Sequence, residues 1–172
     1  SPLDQIARVL EDQSELNMSV LMTPDMANFS GSVHGGTILK LLDQVAYACA
    51  SRYSGSYVVT LSVDKVNFKE PIHVGELVTF LASVNHVGRT SMEIGIRVEA
   101  QNIQKRTVRL TNSCYFSMVA VDETGKPKPI PALNLDNDWK RCRFEAAEHR
   151  KVARLQENHH QSCSIYKKST NR

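Results

Sequence analysis

The chain has 172 residues, 41% of them hydrophobic and 23% charged, a composition typical of one globular domain with a sizeable core. The formal net charge is +3, and it arises at the end of the chain, where residues 140–172 hold nine Lys and Arg against three Asp and Glu. No apolar run approaches the roughly 20 residues of a membrane span, and the first residues show no secretory signal. We therefore expect a cytoplasmic protein that does not act in a membrane.

The first predicted elements are a lead-in segment over 1–14 and a short strand over 19–22. An apolar run at helical spacing then predicts one long helix over 36–53. Asp43 lies in this run, about two turns from its start. A carboxylate in such a place must be solvated, paired or functional, and an ion pair across a helix contact remains the simpler alternative.

Four strands are predicted after the helix. Alternation over 57–68 changes parity near Asp64-Lys65, which predicts a β-bulge there. Further strands are predicted over 76–86, 91–101 and 106–121. Because short turns join most of these strands, the sheet should be antiparallel, and only the helix over 36–53 is apolar enough to cover it. The sequence thus predicts an α+β fold, in which an antiparallel sheet wraps around one central helix.

The segment after the last strand is polar and basic. We divide the chain into a sheet-and-helix domain over 15–131, a C-terminal basic helix over 132–157 and a disordered tail over 158–172. The basic helix has no nucleic-acid-binding motif and few aromatic residues, so no nucleic-acid partner is expected.

The four cysteines do not have metal-ligand spacing. In a cytoplasmic protein they are expected to be reduced thiols, with Cys49 and Cys114 in the core. We therefore predict no metal site.

Two glycines, Gly35 and Gly36, stand at the start of the central helix. The first turn of a helix offers unpaired N–H groups and the positive end of the helix dipole. An oxygen atom with partial negative charge is the natural ligand of such a site. The glycines also allow a ligand to approach the backbone closely, although they would equally permit close packing of the helix on the sheet.

One motif around this helix start is Asn28-x-x-Gly31-x-Val33-His34-Gly35-Gly36, with Asp43 fifteen positions after Asn28. The segments that follow it in order are Val59–Asp64, Phe68–Glu76 and Gly88–Met92. Together these residues resemble the hotdog-fold acyl-CoA thioesterases, in the group of small bacterial thioesterases and cytosolic animal hydrolases. The resemblance covers about residues 15–150.

This resemblance implies hydrolysis of acyl-CoA to a free acid and CoA, without a metal or a cofactor other than the CoA of the substrate. It implies catalytic roles for Asn28 and Asp43, contributed by two subunits to one pocket, with Asp43 as general base or nucleophile. The N–H groups of Gly35 and Gly36 suit the developing oxyanion. Residues expected to contact the substrate are His34, Thr60, Lys65, Phe68, Gly88, Arg89, Thr90, Ser91 and Arg109.

The spacing of the predicted catalytic groups indicates whether one chain can form the active site by itself. Asp43 lies eight positions after Gly35, about 12 Å along the helix axis, and so cannot easily serve the same carbonyl as Gly35 of its own chain. Two antiparallel helices in a dimer would bring Asp43 of one chain to the helix start of the other. We therefore expect at least a dimer, and the resemblance implies a hexamer built as a trimer of dimers.

Three other functions remain open from the sequence. A non-catalytic acyl-CoA sensor would bind CoA esters without releasing thiol. A hotdog dehydratase would carry a catalytic histidine on the central helix, where none follows His34. A purely structural oligomer would leave Asp43 unexplained.

Overall fold

The computed structural model describes residues 13–64, 66–68 and 70–170, with residues 158–170 described through their backbone. Two compact units divide the chain, Ser1–Asn134 and Leu135–Arg172. The elements are β1 (Glu15–Leu21), α1 (Gly35–Ser54), β2 (Tyr57–Asp64), β3 (Leu77–Val87), β4 (Ser91–Asn102), β5 (Thr107–Val121) and α2 (Asp138–Thr170). The predicted lead-in over 1–14 lies, up to residue 12, outside the described residues.

The first unit is a five-stranded antiparallel sheet with the strand order β1-β3-β4-β5-β2. This arrangement confirms the predicted antiparallel sheet and the single helix that it accompanies. The strands β3, β4 and β5 follow one another as a meander. In contrast, β2 pairs with β5 at one edge of the sheet, and the long connection over 65–76 leads the chain back to β3 beside β1.

The predicted β-bulge lies at a different place in β2. The pairing of β2 with β5 shifts between Thr60 and Ser62, not near Asp64-Lys65. Thr60 opposes the buried Met118 and Val63 opposes the buried Phe116, so the bulge moves the core-facing side of β2 from even to odd positions. The parity change in the sequence lies after Val63 and runs from odd to even apolar positions, so this bulge does not produce it. The bulge cannot be placed from the sequence because Leu61, its extra residue, is apolar and continues the alternation of its neighbours.

Helix α1 lies against one face of the sheet through a continuous apolar stripe. The buried helix residues are Ile38, Leu42, Val45, Ala46, Cys49 and Ala50. Their partners in the same core cluster include Phe80, Ile94, Val98, Phe116 and Met118. Gly55 ends the helix in the left-handed conformation (φ 64°), with its N–H donating to Ser51 O at 2.8 Å. The long helix predicted over 36–53 is therefore confirmed within one residue at each end.

The outer face of α1 is not uniformly polar. Leu39, Asp43 and Tyr47 are spaced four residues apart and so lie along one side of the helix. Leu39 is 41% exposed and Tyr47 44% exposed, and Asp43 is exposed between them. Helix α1 thus has a second, partly apolar stripe on its outer side, and the sheet of the same chain does not cover this stripe.

The second unit contains α2, which is longer than predicted. The helix was expected to end near residue 157 and to be followed by a disordered tail, but its backbone is helical to Thr170. Since no Pro or Gly occurs after Pro131, the sequence offers no strong helix-breaking residue beyond 157. Polar composition alone was therefore a poor signal for the end of this helix. None of the described helices is long and apolar enough to cross a membrane.

Candidate active site

The loop before α1 is held in a compact turn by the side chain of Asn28. Its Oδ1 accepts hydrogen bonds from Ser30 N at 3.0 Å, from Ser30 Oγ at 2.7 Å and from Ser32 N at 3.2 Å. The backbone closes the same turn, since Asn28 N donates to Ser32 O at 2.7 Å. Because these donors occupy the carbonyl oxygen of the Asn28 side chain, its Nδ2 amide group is the part suited to act on a ligand, as a donor.

At the helix start, the backbone N–H groups can be accounted for one by one. A helix leaves its first four N–H groups without an intrahelical acceptor four residues back. His34 N donates to Met26 O at 3.0 Å, and Thr37 N donates to His34 O at 3.0 Å. No side chain caps this helix. The two remaining N–H groups are those of Gly35 and Gly36, the pair predicted to bind an oxyanion.

The surroundings of the two glycines differ. A Cβ atom at Gly35 would stand 3.5 Å from the ring of Phe68, whereas one at Gly36 would meet nothing within 4 Å. Phe68 is itself 47% exposed, so its ring forms an apolar wall beside the helix start. This contact brings one predicted substrate residue next to the predicted oxyanion site.

Asp43 faces away from the core and contacts β2. Thr60 Oγ1 donates a hydrogen bond to Asp43 Oδ1 at 3.3 Å and also lies 3.3 Å from Met118 Sδ. Thr60 faces the helix because it opposes the buried Met118 in the pairing with β5, just before the bulge. The hydroxyl thus restricts the orientation of the carboxylate, and the acid in the apolar run is solvent-accessible and hydrogen-bonded.

Within one chain, the predicted site residues fall into separate groups. Asn28, Gly35, Gly36 and Phe68 surround the helix start, whereas Asp43 and Thr60 lie about 12 Å further along α1. His34 contributes its backbone to the start of the helix, and its side chain is exposed. Lys65 lies outside the described residues.

The predicted CoA-contacting hairpin lies elsewhere on the sheet. Gly88 N donates to Ser91 O at 2.8 Å, which closes the turn between β3 and β4, and Arg89 at its tip is exposed. Met118 opposes both Thr60 on β2 and Met92 on β4, so the hairpin is level with Thr60. The hairpin lies nine residues along β4 from Ala100, which pairs with Arg109 on β5. It is therefore roughly 30 Å from Arg109.

Arg109 is engaged with protein groups. Its guanidinium contacts the carboxylates of Glu70 and Glu76 and the backbone oxygen of Pro71. This cluster, in the connection over 65–76, was not identified from the sequence. The sequence signal for this cluster is the pair of acids, Glu70 and Glu76, on either side of Pro71 and Gly75.

Of the cysteines that the structure describes with their side chains, Cys49 and Cys114 are buried and Cys142 is exposed. Burial raises the pKa of Cys49 and of Cys114 to about 12, so at neutral pH both are protonated core residues. Among the described residues, no group of three or more His, Cys, Asp or Glu side chains is placed to hold a metal ion.

Known proteins are similar to this chain in sequence and in fold. The sequence model of the Thioesterase superfamily matches residues 30–107. Protein VdlD of Helicobacter pylori is 52% identical over 143 residues, which cover 83% of this chain and 82% of VdlD. Cytosolic acyl coenzyme A thioester hydrolase of Mus musculus is 34% identical over 141 residues, which cover 80% of this chain and 36% of the mouse protein.

A crystal structure of an apo hexameric acyl-CoA thioesterase matches this structure with a TM-score of 0.81 at 36% identity. The match covers 85% of this chain and 94% of that chain. Sequence and fold therefore agree with the resemblance seen in the motifs around α1. The chain belongs to the thioesterase superfamily, as a hotdog-fold protein of its acyl-CoA thioesterase group.

Proposed function

We propose that this protein hydrolyses acyl-CoA to a free acid and CoA, in an active site that two chains build together. The observation that carries the proposal is the pair of backbone N–H groups at Gly35 and Gly36, which neither the helix nor a capping side chain uses. They follow the loop whose turn Asn28 holds through its Oδ1, and α1 bears the hydrogen-bonded carboxylate of Asp43 on its exposed face.

The proposed chemistry needs only these groups. Water attacks the thioester carbonyl carbon while Asp43 accepts a proton from it, and the carbonyl electrons move onto the oxygen. The N–H groups of Gly35 and Gly36 stabilise that oxyanion, an effect typically worth about 3–4 kcal/mol per donor. When the intermediate collapses, the carbon–sulfur bond breaks and the departing thiolate takes the proton held by Asp43. A thiol with a pKa near 8.5 is already a good leaving group.

The distance between Gly35 and Asp43 requires a second chain. A two-fold axis that sets Asp43 of one α1 against Gly35 of an antiparallel partner helix passes at the midpoint of the two positions, which is Leu39. Leu39 is an exposed apolar residue on the same side of the helix as Asp43. Its exposure therefore supports an isologous contact between the two helices.

The adjacent edge strand supports the same assembly. β2 is at one edge of the sheet, and three of its large apolar side chains, Tyr57, Val59 and Leu61, are exposed. An uncovered strand of this kind invites pairing with another chain. We further propose that such dimers form a hexamer, as in the hexameric thioesterase of similar fold. By analogy with the mouse hydrolase, named as cytosolic, we assign the activity to the cytoplasm.

Replacing Leu39 by glutamate is expected to break the dimer. Each interface would carry two facing carboxylates at the two-fold axis, in place of two apolar side chains. Light scattering coupled to size exclusion should show particles of at most about half the wild-type mass that release no thiol, because neither helix start then has an acid within reach. The matched control is Lys40→Glu on the adjacent exposed position, which should stay assembled. A Leu39→Glu variant that remains dimeric and active would exclude this helix contact.

The proposed activity is tested by following thiol release from a series of acyl-CoA substrates, from acetyl-CoA to palmitoyl-CoA. Hydrolysis predicts catalytic thiol release that depends on chain length, with one free acid formed per thiol. Binding of the same esters in calorimetry, without thiol release at any length, would instead identify a non-catalytic acyl-CoA sensor and refute the proposal.

A further inference from the structure

We propose that Arg109 is a positioning residue, which holds the loop before α1 in its catalytic geometry rather than contacting the substrate. This inference rests on the proposed function, since it concerns the same site. It begins with the contacts of the guanidinium group. Arg109 Nη2 donates to Pro71 O at 2.6 Å and to Glu76 Oε1 at 2.8 Å, and Nη1 lies 3.6 Å from Glu70 Oε2.

All three partners belong to one connection, the segment between β2 and β3. Arg109 itself is on β5, the strand between β4 and the edge strand β2, and it pairs with Ala100 of β4. The guanidinium therefore ties a connecting loop to a strand of the sheet through a backbone oxygen and two carboxylates. The planar fork of arginine suits such a multiple contact, and lysine cannot reproduce it.

Glu76 extends the contact into the loop. Its side chain is only 10% exposed, and Oε1 also accepts a hydrogen bond from His73 N at 2.8 Å. Glu76 N donates to His73 O at 3.1 Å, so the carboxylate and the backbone close a tight turn from His73 to Glu76. A charge so well buried requires its cationic partner, and the geometry of the turn depends on Arg109.

The same turn is paired with the loop that carries the active site. Ser32 and His73 form an antiparallel β-bridge, and Val33 N donates to Ile72 O at 2.7 Å. Ser32 N is one of the donors to Asn28 Oδ1, and Gly35 follows Val33 by two residues. Arg109 is thus connected through residues 71–76 to Asn28 and to the start of α1 by hydrogen bonds and short stretches of backbone.

A cleft of about 400 Å³ suggests the rival role. It is lined by Arg109 with His73, Lys105 and others, and a cationic wall of this kind could receive a CoA phosphate. The two roles make different predictions for the kinetics. A phosphate contact contributes binding to any intact CoA ester, whereas a positioning contact acts on the reacting carbonyl whatever the rest of the substrate contains.

The test compares Arg109→Met with Arg97→Met, using an acyl-CoA and the matching acyl-N-acetylcysteamine thioester, which has no phosphate. Arg97 is the matched control because it is an exposed arginine on the neighbouring strand β4, paired with Glu99. We expect Arg109→Met to lower kcat about 100-fold on both substrates, the effect typical of a 1 Å misplacement, with KM changed less than kcat. Arg97→Met should match the wild type.

Two outcomes would overturn the inference. One is a loss seen with acyl-CoA and absent with the truncated thioester, which would assign Arg109 to phosphate binding. The other is unchanged kcat on both substrates. If Arg109→Met does not fold, the double variant Arg109→Met/Glu76→Gln removes the unpaired buried charge. This double variant should fold, and it should still lose kcat because the contact to Pro71 O is missing.

A second readout does not depend on activity. Hydrogen exchange at the backbone amide of Val33 should be faster in Arg109→Met than in the wild type or Arg97→Met, because its acceptor, Ile72 O, moves with the turn. Exchange at Ser32 should also be faster, because its β-bridge to His73 loosens and frees the loop that places Asn28 Oδ1. If the wild-type protein releases no thiol, the proposed function fails while this exchange measurement still decides the structural link. Unchanged exchange at these amides would overturn the positioning role by itself.

Discussion

Replacing Asp43 by alanine is expected to lower kcat for acyl-CoA hydrolysis by about 10²- to 10⁴-fold, the usual contribution of a positioned general base. The physical reason is that no other group in the proposed chemistry removes a proton from the attacking water. The isosteric variant Asp43→Asn should be as slow, because it preserves the shape and the contact with Thr60 but cannot take up the proton. Both losses should appear in kcat more than in KM, as thiol release under saturating substrate will show.

The control for this substitution removes one negative charge from elsewhere in the same unit. Glu123→Gln is suitable, since Glu123 is exposed in the turn after β5. It should keep wild-type kinetics, and all these variants should keep the wild-type oligomer size. Near-wild-type turnover in Asp43→Ala would refute the assignment of this carboxylate, whatever the oligomer.

Mixing two inactive variants is expected to restore about a quarter of the wild-type activity if each active site takes Asp43 from one chain and Asn28 from its partner. The variants are Asp43→Ala and Asn28→Asp. The second keeps an oxygen for the turn formed with Ser30 and Ser32 but replaces the Nδ2 donor. Refolding an equal mixture from denaturant allows the chains to reassort, and only sites that combine the two intact residues will work.

The expected quarter follows from the geometry and holds for a dimer or a hexamer. Each site needs an intact acid from one variant and an intact asparagine from the other, and random assortment provides that combination in about one site of four. A mixture of Asp43→Ala with Asp43→Asn is the matched control and should stay inactive, because every site lacks the acid. If the first mixture also stays inactive although the chains have reassorted, the active site lies within one chain.

Several features of the fold were predicted correctly because they depend on local chemistry. An uninterrupted apolar run specifies α1 through its own spacing, and the glycine pair marks the first turn, where N–H groups lack partners. The strands β4 and β5 alternate regularly, and their ends agree with the prediction within one residue. The family could be recognised for the same reason, since its motif lies within one loop and one helix.

Other features depend on residues that are distant in the sequence. Position in the sequence does not predict that Thr60 contacts Asp43, because that contact needs the pairing of β2 with β5 and the bulge after Thr60. Nor does it predict that Arg109 pairs with Glu76, thirty-three positions away. Considered alone, the guanidinium group of Arg109 could bind a phosphate. In the folded chain it is already paired with a nearby carboxylate.

The amino-acid sequence by itself determined the helix, the sheet class and the identity of the chemical groups, because hydrophobic periodicity and helix-end chemistry operate over a few residues. Only the tertiary structure decided which face of α1 remains open, which atom of Asn28 is occupied and which residues hold the loop before Gly35. These features follow from strand order and register. They depend on hydrogen bonds between segments that are distant in the sequence, and such bonds form only when the chain folds.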